Sequence, residues 1–325
     1  MRPVRVVAFG GGHGLSASLR ALRLLRDRWL ADAGHAQLDV TAVVTVGDDG
    51  GSSGRLRAER GGLPPGDLRQ ALVALAESGD AVGDRSARLF QHRFDGYGPL
   101  AGHAVGNLVL SGLIEMIGDP VEALDQAAAM LRCCGRVLPM SRQAVSIEAD
   151  VLGGDATRPD QVVAVRGQHA VAVTRGEVRT VRIRPGQPPA CAEAVAAIHA
   201  ADWLIFGPGS WYTSVIPHLL VPDLAAAMVA SRAKRLVTLN LAAEKETSGL
   251  SVPGHLAALT RYLPGLRVDV VLADGKAVGD PEPVHRAAES LGARLWLAPV
   301  SVPDGAPRHD PAALAAALEA ILGAP

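Results

Sequence analysis

Residues 4–22 read VRVVAFGGGHGLSASLRAL, and this stretch decides the fold class. Val4–Phe9 is an apolar run of strand length. Gly10, Gly11, Gly12 and Gly14 follow, with His13 among them and Leu15-Ser16 behind. From Ser16 to about Ala33 the apolar residues Leu19, Leu22, Leu25 and Trp29 recur at helical spacing, and Gly34 supplies a stop. A second β-like run, Val40–Val46, comes next. Strand, glycine-rich turn, helix, strand is the opening of a parallel sheet.

The same rhythm continues outward. Asp67–Ser78 reads as a helix ending at Gly79, and Asn107–Ile117 and Pro120–Cys134 as two more. Asp119 suits the N-cap of the last, with Pro120 in its first turn. Between Val137 and Pro189 the texture changes. Alternation in Ala144–Val151 and Glu177–Ile183, punctuated by Gly153-Gly154, Gly167 and Gly176, predicts short antiparallel strands. A helix at Cys191–Ala200 then leads into a buried-strand pattern at Trp203–Phe206. Further strands are predicted at Leu236–Leu241, Val268–Ala273 and Arg294–Ala298. Helices are predicted at Leu224–Ser231, His255–Tyr262 and Pro311–Leu322. The expected fold is α/β: a Rossmann-like, mostly parallel sheet flanked by helices, one domain over 1–325 with a β-rich insert at 139–189.

Composition narrows the function. The chain has 325 residues, 48% hydrophobic and 20% charged, which excludes a disordered protein. Lys+Arg is 32, Asp+Glu is 33, and aromatics are 3%, so a nucleic-acid partner is not expected. Cys133, Cys134 and Cys191 form neither a disulfide framework nor a zinc spacing, which fits a reducing cytoplasm. Met1–Phe9 lacks the ~7–15 apolar residues of a secretory core. Val105–Ile117, interrupted by Asn107 and Glu115, falls short of the ~20 residues of a membrane span. Homo-oligomerisation and a regulatory protein partner stay open.

Four segments carry candidate chemistry. Gly10–Ser16 lies between a strand and a helix, where glycines admit a phosphate and the helix N-terminus offers free N–H groups. It is not a G-x-G-x-x-G match, because Leu15 stands at the last glycine, nor a P-loop, which needs a Lys. A tight turn is the plainer reading. Gly47–Arg55 follows the second strand. Its Asp48 and Asp49 suit a ribose or Mg²⁺, and Ser52, Ser53 and Arg55 suit a diphosphate. A solvated loop is the alternative. Asp67 reads as a helix N-cap that can also serve a site, and His103 and Asn107 in Gly102–Asn107 have a similar setting. His103 equally suits a structural role. Gly207, Gly209, Ser210, Tyr212 and Thr213 form a second glycine- and hydroxyl-rich junction after a strand. Both glycine loops are expected to face one crevice. No G-x-S-x-G elbow is present, so a hydrolase is disfavoured.

Taken in order, GGGHGLS (10–16), VTVGDDGGSSGRLR (44–57), LPPGDLRQALVALA (63–76), LFQHRF (89–94), GHAVGNL (102–108) and FGPGSWYTSVIPHLLV (206–221) resemble the YvcK-type gluconeogenesis-factor family. That family is a branch of the CofD-like (UPF0052) superfamily. The resemblance spans about Val4 to Val270 and includes the placement of the insert. It implies a Rossmann-like fold and a bound nucleotide. For this branch it implies a cytosolic regulator that binds UDP-sugars, notably UDP-N-acetylglucosamine, and is linked to gluconeogenic growth, cell shape and peptidoglycan precursor supply. On that reading the protein is not expected to be an enzyme. The alternative comes from the name-giving branch: a Mg²⁺-dependent phospho-group transferase of the 2-phospho-L-lactate type, with Asp48 and Asp49 at the metal. NAD(P) is a third candidate for the crevice, without a convincing partner for hydride transfer. The family pattern also implies ligand contacts at Asn240 and Arg308. His13 stands where Thr is common, and the Ala242–Thr247 loop is one residue shorter than the family's.

Overall fold

The computed structural model describes residues 2–32, 36–77, 79, 81–155, 157–242 and 251–323. Strand β1 (Val4–Gly10) runs into helix α1 (Gly12–Ala31), then β2 (Leu38–Val44). Helices α2 (Gly51–Arg60), α3 (Pro65–Leu75), α4 (Ala81–Gln91), α5 (Val105–Ile117) and α6 (Pro120–Met130) follow before β3 (Arg136–Pro139). The insert holds β4 (Ser146–Leu152), β5 (Val162–Arg166), α7 (Gln168–Val173) and β6 (Glu177–Arg184). The second half runs α8 (Ala192–Ala200), β7 (Trp203–Phe206), a π-helical turn at Trp211–Val215, α9 (Ile216–Leu219), α10 (Pro222–Ala230) and β8 (Lys234–Thr238). It ends with α11 (Val252–Tyr262), β9 (Val270–Ala273), α12 (Gly275–Val278), α13 (Glu282–Ser290), β10 (Arg294–Leu297) and α14 (Pro311–Leu322).

Seven strands form one sheet in the order β10-β9-β8-β7-β1-β2-β3, and every pairing is parallel. The chain builds outward from β1 to β2 and β3, then returns to lay β7 on the other side of β1. The strand order therefore reverses between β1 and β7, and a crevice opens at their carboxyl ends. Both strands are apolar on both faces because helices cover the sheet twice. Phe9 and Phe206, paired in register, stack with ring centroids 5.0 Å apart and are fully buried. His218 packs edge-on against Phe9, and its two ring nitrogens face the Val43 and Val215 carbonyls at 3.0 and 3.3 Å. Burial pushes that imidazole down to about 4, so it holds β2 to the π-helical turn as a neutral ring.

The predicted insert is a three-stranded antiparallel sheet, β5-β4-β6. Its alternation buries Ile147, Ala149 and Val151 on one face. Glu148 on the other face meets Arg166, Arg182 and Arg184. The sequence reading missed β5 and α7.

Several boundaries move. Helix α1 starts at Gly12, not Ser16, so the glycine loop is itself the first helical turn. Residues 51–60, expected as a loop, are helix α2. Helices α3 and α6 end at Leu75 and Met130 because Ala76 and Cys133 pair in an antiparallel bridge. Asp119 does cap α6, accepting from the Val121 and Glu122 N–H groups at 2.7 and 3.1 Å. Asp67 is not a cap: Pro64 holds that position and Asp67 sits in the first turn of α3. Gly34, Ser78 and Ala243–Thr247 lie outside the described residues. Among the described residues no single helix is long and apolar enough to cross a membrane.

Candidate functional site

A cavity of about 650 Å³ opens at the β1/β7 switch point. The loop after β1 lines it with Gly11, Gly12, His13, Gly14 and Ser16, and the loop after β7 with Pro208, Gly209, Ser210 and Thr213. No side chain caps α1 at Gly11, and its first turn holds no acid. The first-turn N–H groups therefore lack side-chain caps of their own helix and point into the crevice region. Gly12 has φ +56°, a left-handed conformation that a side chain would strain. A Cβ on Gly14 would lie 2.3 Å from the Pro208 carbonyl oxygen, so the two loops meet backbone to backbone.

Side chains beyond the loops fix this contact. Asn240 donates to the Gly209 carbonyl at 2.9 Å and accepts from the Gly209 N–H at 2.8 Å. Ser18 donates to the Gly207 carbonyl at 3.0 Å. The Ser210 and Thr213 hydroxyls bond each other. Gly10, Gly207, Leu15 and Tyr212 lie outside the cavity lining, and Leu15 and Tyr212 are buried below it.

At the β2 end of the cavity stand Asp48 and Asp67. Asp48 accepts from the Gly50 N–H at 2.9 Å. Asp67 is buried and is hydrogen-bonded by the Gly12 N–H and the Gln168 side chain, while its Oδ2 has no partner. Burial, reinforced by the nearby Asp48 charge, pushes its carboxyl up to about 7. Arg69 offsets part of that field from behind; its own burial brings it down to about 10.

Several predicted site residues face elsewhere. Asp49 turns away from Asp48 and accepts the His169 N–H of α7 at 2.9 Å, so the expected Asp48–Asp49 pair is split. The carboxylate beside Asp48 is Asp67. Ser52 bonds His103 and Asn107, each at 2.9 Å, and Arg69 bonds Asn107 at 2.8 Å and also Gln91. This buried network stands behind the carboxylates and outside the cavity lining. Burial, with Arg55 nearby, lowers the His103 pKa and keeps the ring neutral within it. Ser53 is buried against Gly66, and Arg55 is exposed and donates to the Ala101 carbonyl at 2.6 Å. The cause is shared. Residues 51–60 are helical, so these side chains spread around a helix instead of converging from a loop.

Three wall segments were not anticipated. Insert helix α7 contributes Gln168, His169 and Ala172. Gln168 also donates to the Thr213 carbonyl at 3.3 Å. Arg20 reaches the cavity from the second turn of α1. His309 lies beside the expected Arg308; it bonds the Leu239 backbone, and burial lowers it to about 4. Arg308 lines the wall and pairs with Asp304 at 2.8 Å. Gly167, placed before α7 at φ +99°, was the available sequence signal for the first of these segments. Among the described residues no group of three or more His, Cys, Asp or Glu side chains is arranged to hold a metal ion.

The family model described as 2-phospho-L-lactate transferase CofD matches residues 6–293. The chain belongs to the CofD-like gluconeogenesis-factor family. A Mycobacterium tuberculosis (H37Rv) protein bearing the gluconeogenesis-factor name is 51% identical over 97% of this chain and 90% of its own length. The Bacillus subtilis gluconeogenesis factor is 34% identical over 89% of this chain and 84% of its own. The crystal structure of a UPF0052 family member from Bacillus halodurans superposes with a TM-score of 0.83 at 32% identity. That match covers 98% of this chain and 100% of the other. The matching family model is that of a transferase. It overturns the expectation that this protein is not an enzyme.

Proposed function

We propose that the cavity binds a nucleoside-diphosphate-linked ligand and that the protein transfers a phosphorus-containing group from it. The observation that carries this reading is the backbone contact of the two glycine loops, Gly14 against Pro208-Gly209, at the switch point. It aims N–H donors and the Ser210 and Thr213 hydroxyls at one place. Such donors hold linked phosphates through short, charge-assisted bonds. The transferase named by the family model supports the reaction type. UDP-sugars, with UDP-N-acetylglucosamine first, are the proposed ligands, and the name of the relatives supports a place in gluconeogenic metabolism.

Asp48 and Asp67 fit a Mg²⁺ ion better than Asp48 and Asp49 do. They are like charges whose mutual repulsion helps push the Asp67 carboxyl up. A divalent cation would relieve that repulsion and neutralise phosphate charge. The chain's own residues do the rest: the two loops orient the diphosphate, Asn240 keeps Gly209 in place, and Arg20 and Arg308 bring positive charge to the walls.

Calorimetry with uridine, UDP, UDP-N-acetylglucosamine, GDP and NAD tests the binding. UDP should bind at least about a hundredfold tighter than uridine, as two or more charge-assisted bonds imply. Phosphorus NMR with Mg²⁺ should show a nucleoside monophosphate released from the diphosphate donor. Equal affinity for uridine and UDP would refute the phosphate cradle. Binding without any release would remove the transfer reaction.

A further inference from the structure

We infer that the β-rich insert delivers a catalytic base, His169, to the diphosphate cavity, and that Asp49 is the residue that positions it. The inference rests on the transferase reading above and names a part of its chemistry. His169 is exposed and lines the cavity from α7.

Two neighbouring contacts lock its backbone. Its own N–H donates to Asp49 Oδ1 at 2.9 Å, and Gln168 is tied to the Thr213 carbonyl and to Asp67. Gly167 approaches so closely that a Cβ there would lie 2.2 Å from Asp49 Oδ2. Asp49 is thus committed to the insert, which accounts for the second carboxylate of the 48–49 pair. The geometry at Gly50 brings the two halves together. A Cβ built there would lie 3.5 Å from Asp48 Oδ1 and 3.9 Å from His169 Nδ1. An imidazole and a carboxylate thus flank a position left open by glycine, beside the phosphate loops. A side chain held by its supporting contacts while its ring stays accessible is the arrangement a general base requires.

The step balances as follows. An acceptor hydroxyl attacks the distal phosphorus of the donor. The new O–P bond forms as the P–O bond to the nucleoside monophosphate breaks, and that electron pair leaves on the nucleotide's phosphate. The hydroxyl proton passes to a ring nitrogen of His169 and from there to solvent.

The test uses the full chain with Mg²⁺, UDP-N-acetylglucosamine as donor and glycerol as acceptor, reading UMP by phosphorus NMR. For His169→Ala, kcat should fall by roughly 10²–10⁴-fold, the usual share of a general base, while UDP affinity stays within about threefold. Added imidazole should restore part of that turnover. Asp49→Ala should lower kcat less, keep UDP affinity, and gain nothing from imidazole. Diethyl pyrocarbonate should acylate His169 in the free protein, and UDP-N-acetylglucosamine should protect it. His169→Ala with wild-type kcat overturns the inference alone. So does a loss of UDP affinity with kcat unchanged. Wild-type protein that binds UDP but releases no UMP removes the transferase reading, and this inference with it.

Discussion

A methyl group on Gly14 would meet backbone atoms on two sides, the Pro208 oxygen at 2.3 Å and Gly209 Cα at 2.5 Å. Backbone cannot rotate away as a long side chain can. Gly14→Ala should therefore part the two loops, weaken UDP binding at least about tenfold, and cost about 1–3 kcal/mol of stability as overpacking does. Calorimetry and urea unfolding read the two effects separately. Asp48→Asn removes a charged wall group and should weaken UDP by about ten- to a hundredfold, a loss of about 1.5–3 kcal/mol. Asp67 makes a prediction in pH. Its carboxyl is raised from 3.8 to about 7 in the folded chain. The folded state thus holds the proton more tightly than the unfolded state, and stability falls as pH rises between those values. Asp67→Asn keeps an acceptor for the Gly12 N–H without the buried charge. In EDTA, its stability relative to wild type should rise between pH 5 and pH 8, by on the order of a few kcal/mol. A constant difference across that range would mean the carboxyl is not raised.

Arg142 works between elements. It bonds Glu193 through both terminal nitrogens at 2.8 Å, in the first turn of α8, and Asp119, the cap of α6, at 3.1 Å. The Arg142 bonds hold the Glu193 carboxyl down to about 2, against an ordinary 4.5. A depressed carboxylate contributes its stability above the ordinary value and loses it as pH falls from about 4.5 towards 2. The three side chains are each about a third exposed, so solvent screens the pair. Arg142→Ala should cost about 1 kcal/mol at pH 7 and nothing measurable near pH 2, by urea unfolding. Element types were mostly legible in the sequence while some starts were not. Glycines 10–14 and 50–54 read as helix breakers. They in fact occupy or precede first turns, where N–H groups need no intrahelical acceptor and glycine's flexibility costs little. At α3 and α6 the boundary depends on the Ala76–Cys133 bridge, a contact between residues far apart in the chain.

At the scale of the molecule, the sheet order and the insert act on one cavity. The β1/β7 reversal places two glycine loops together, and α7 closes a third wall through Asp49 and Gln168. Removing the Asp49 anchor should loosen α7 without unfolding the sheet. Hydrogen exchange of Gln168–Val173 should accelerate in Asp49→Ala while amides of β1 and β7 keep their protection. Uniform acceleration would show that Asp49 supports the whole fold instead. By itself, the sequence determined the α/β class, the parallel opening, both glycine loops and the presence of a β-rich insert. Those features are written in local periodicity and in glycine's conformational freedom, which act over a few residues. Only the tertiary structure decided which carboxylates meet. Asp48 and Asp49 are adjacent in the chain but point to different neighbours, whereas Asp67 joins Asp48 from another helix. Side-chain direction depends on what packs against a backbone, and the insert helix that claims Asp49 lies 120 residues further on.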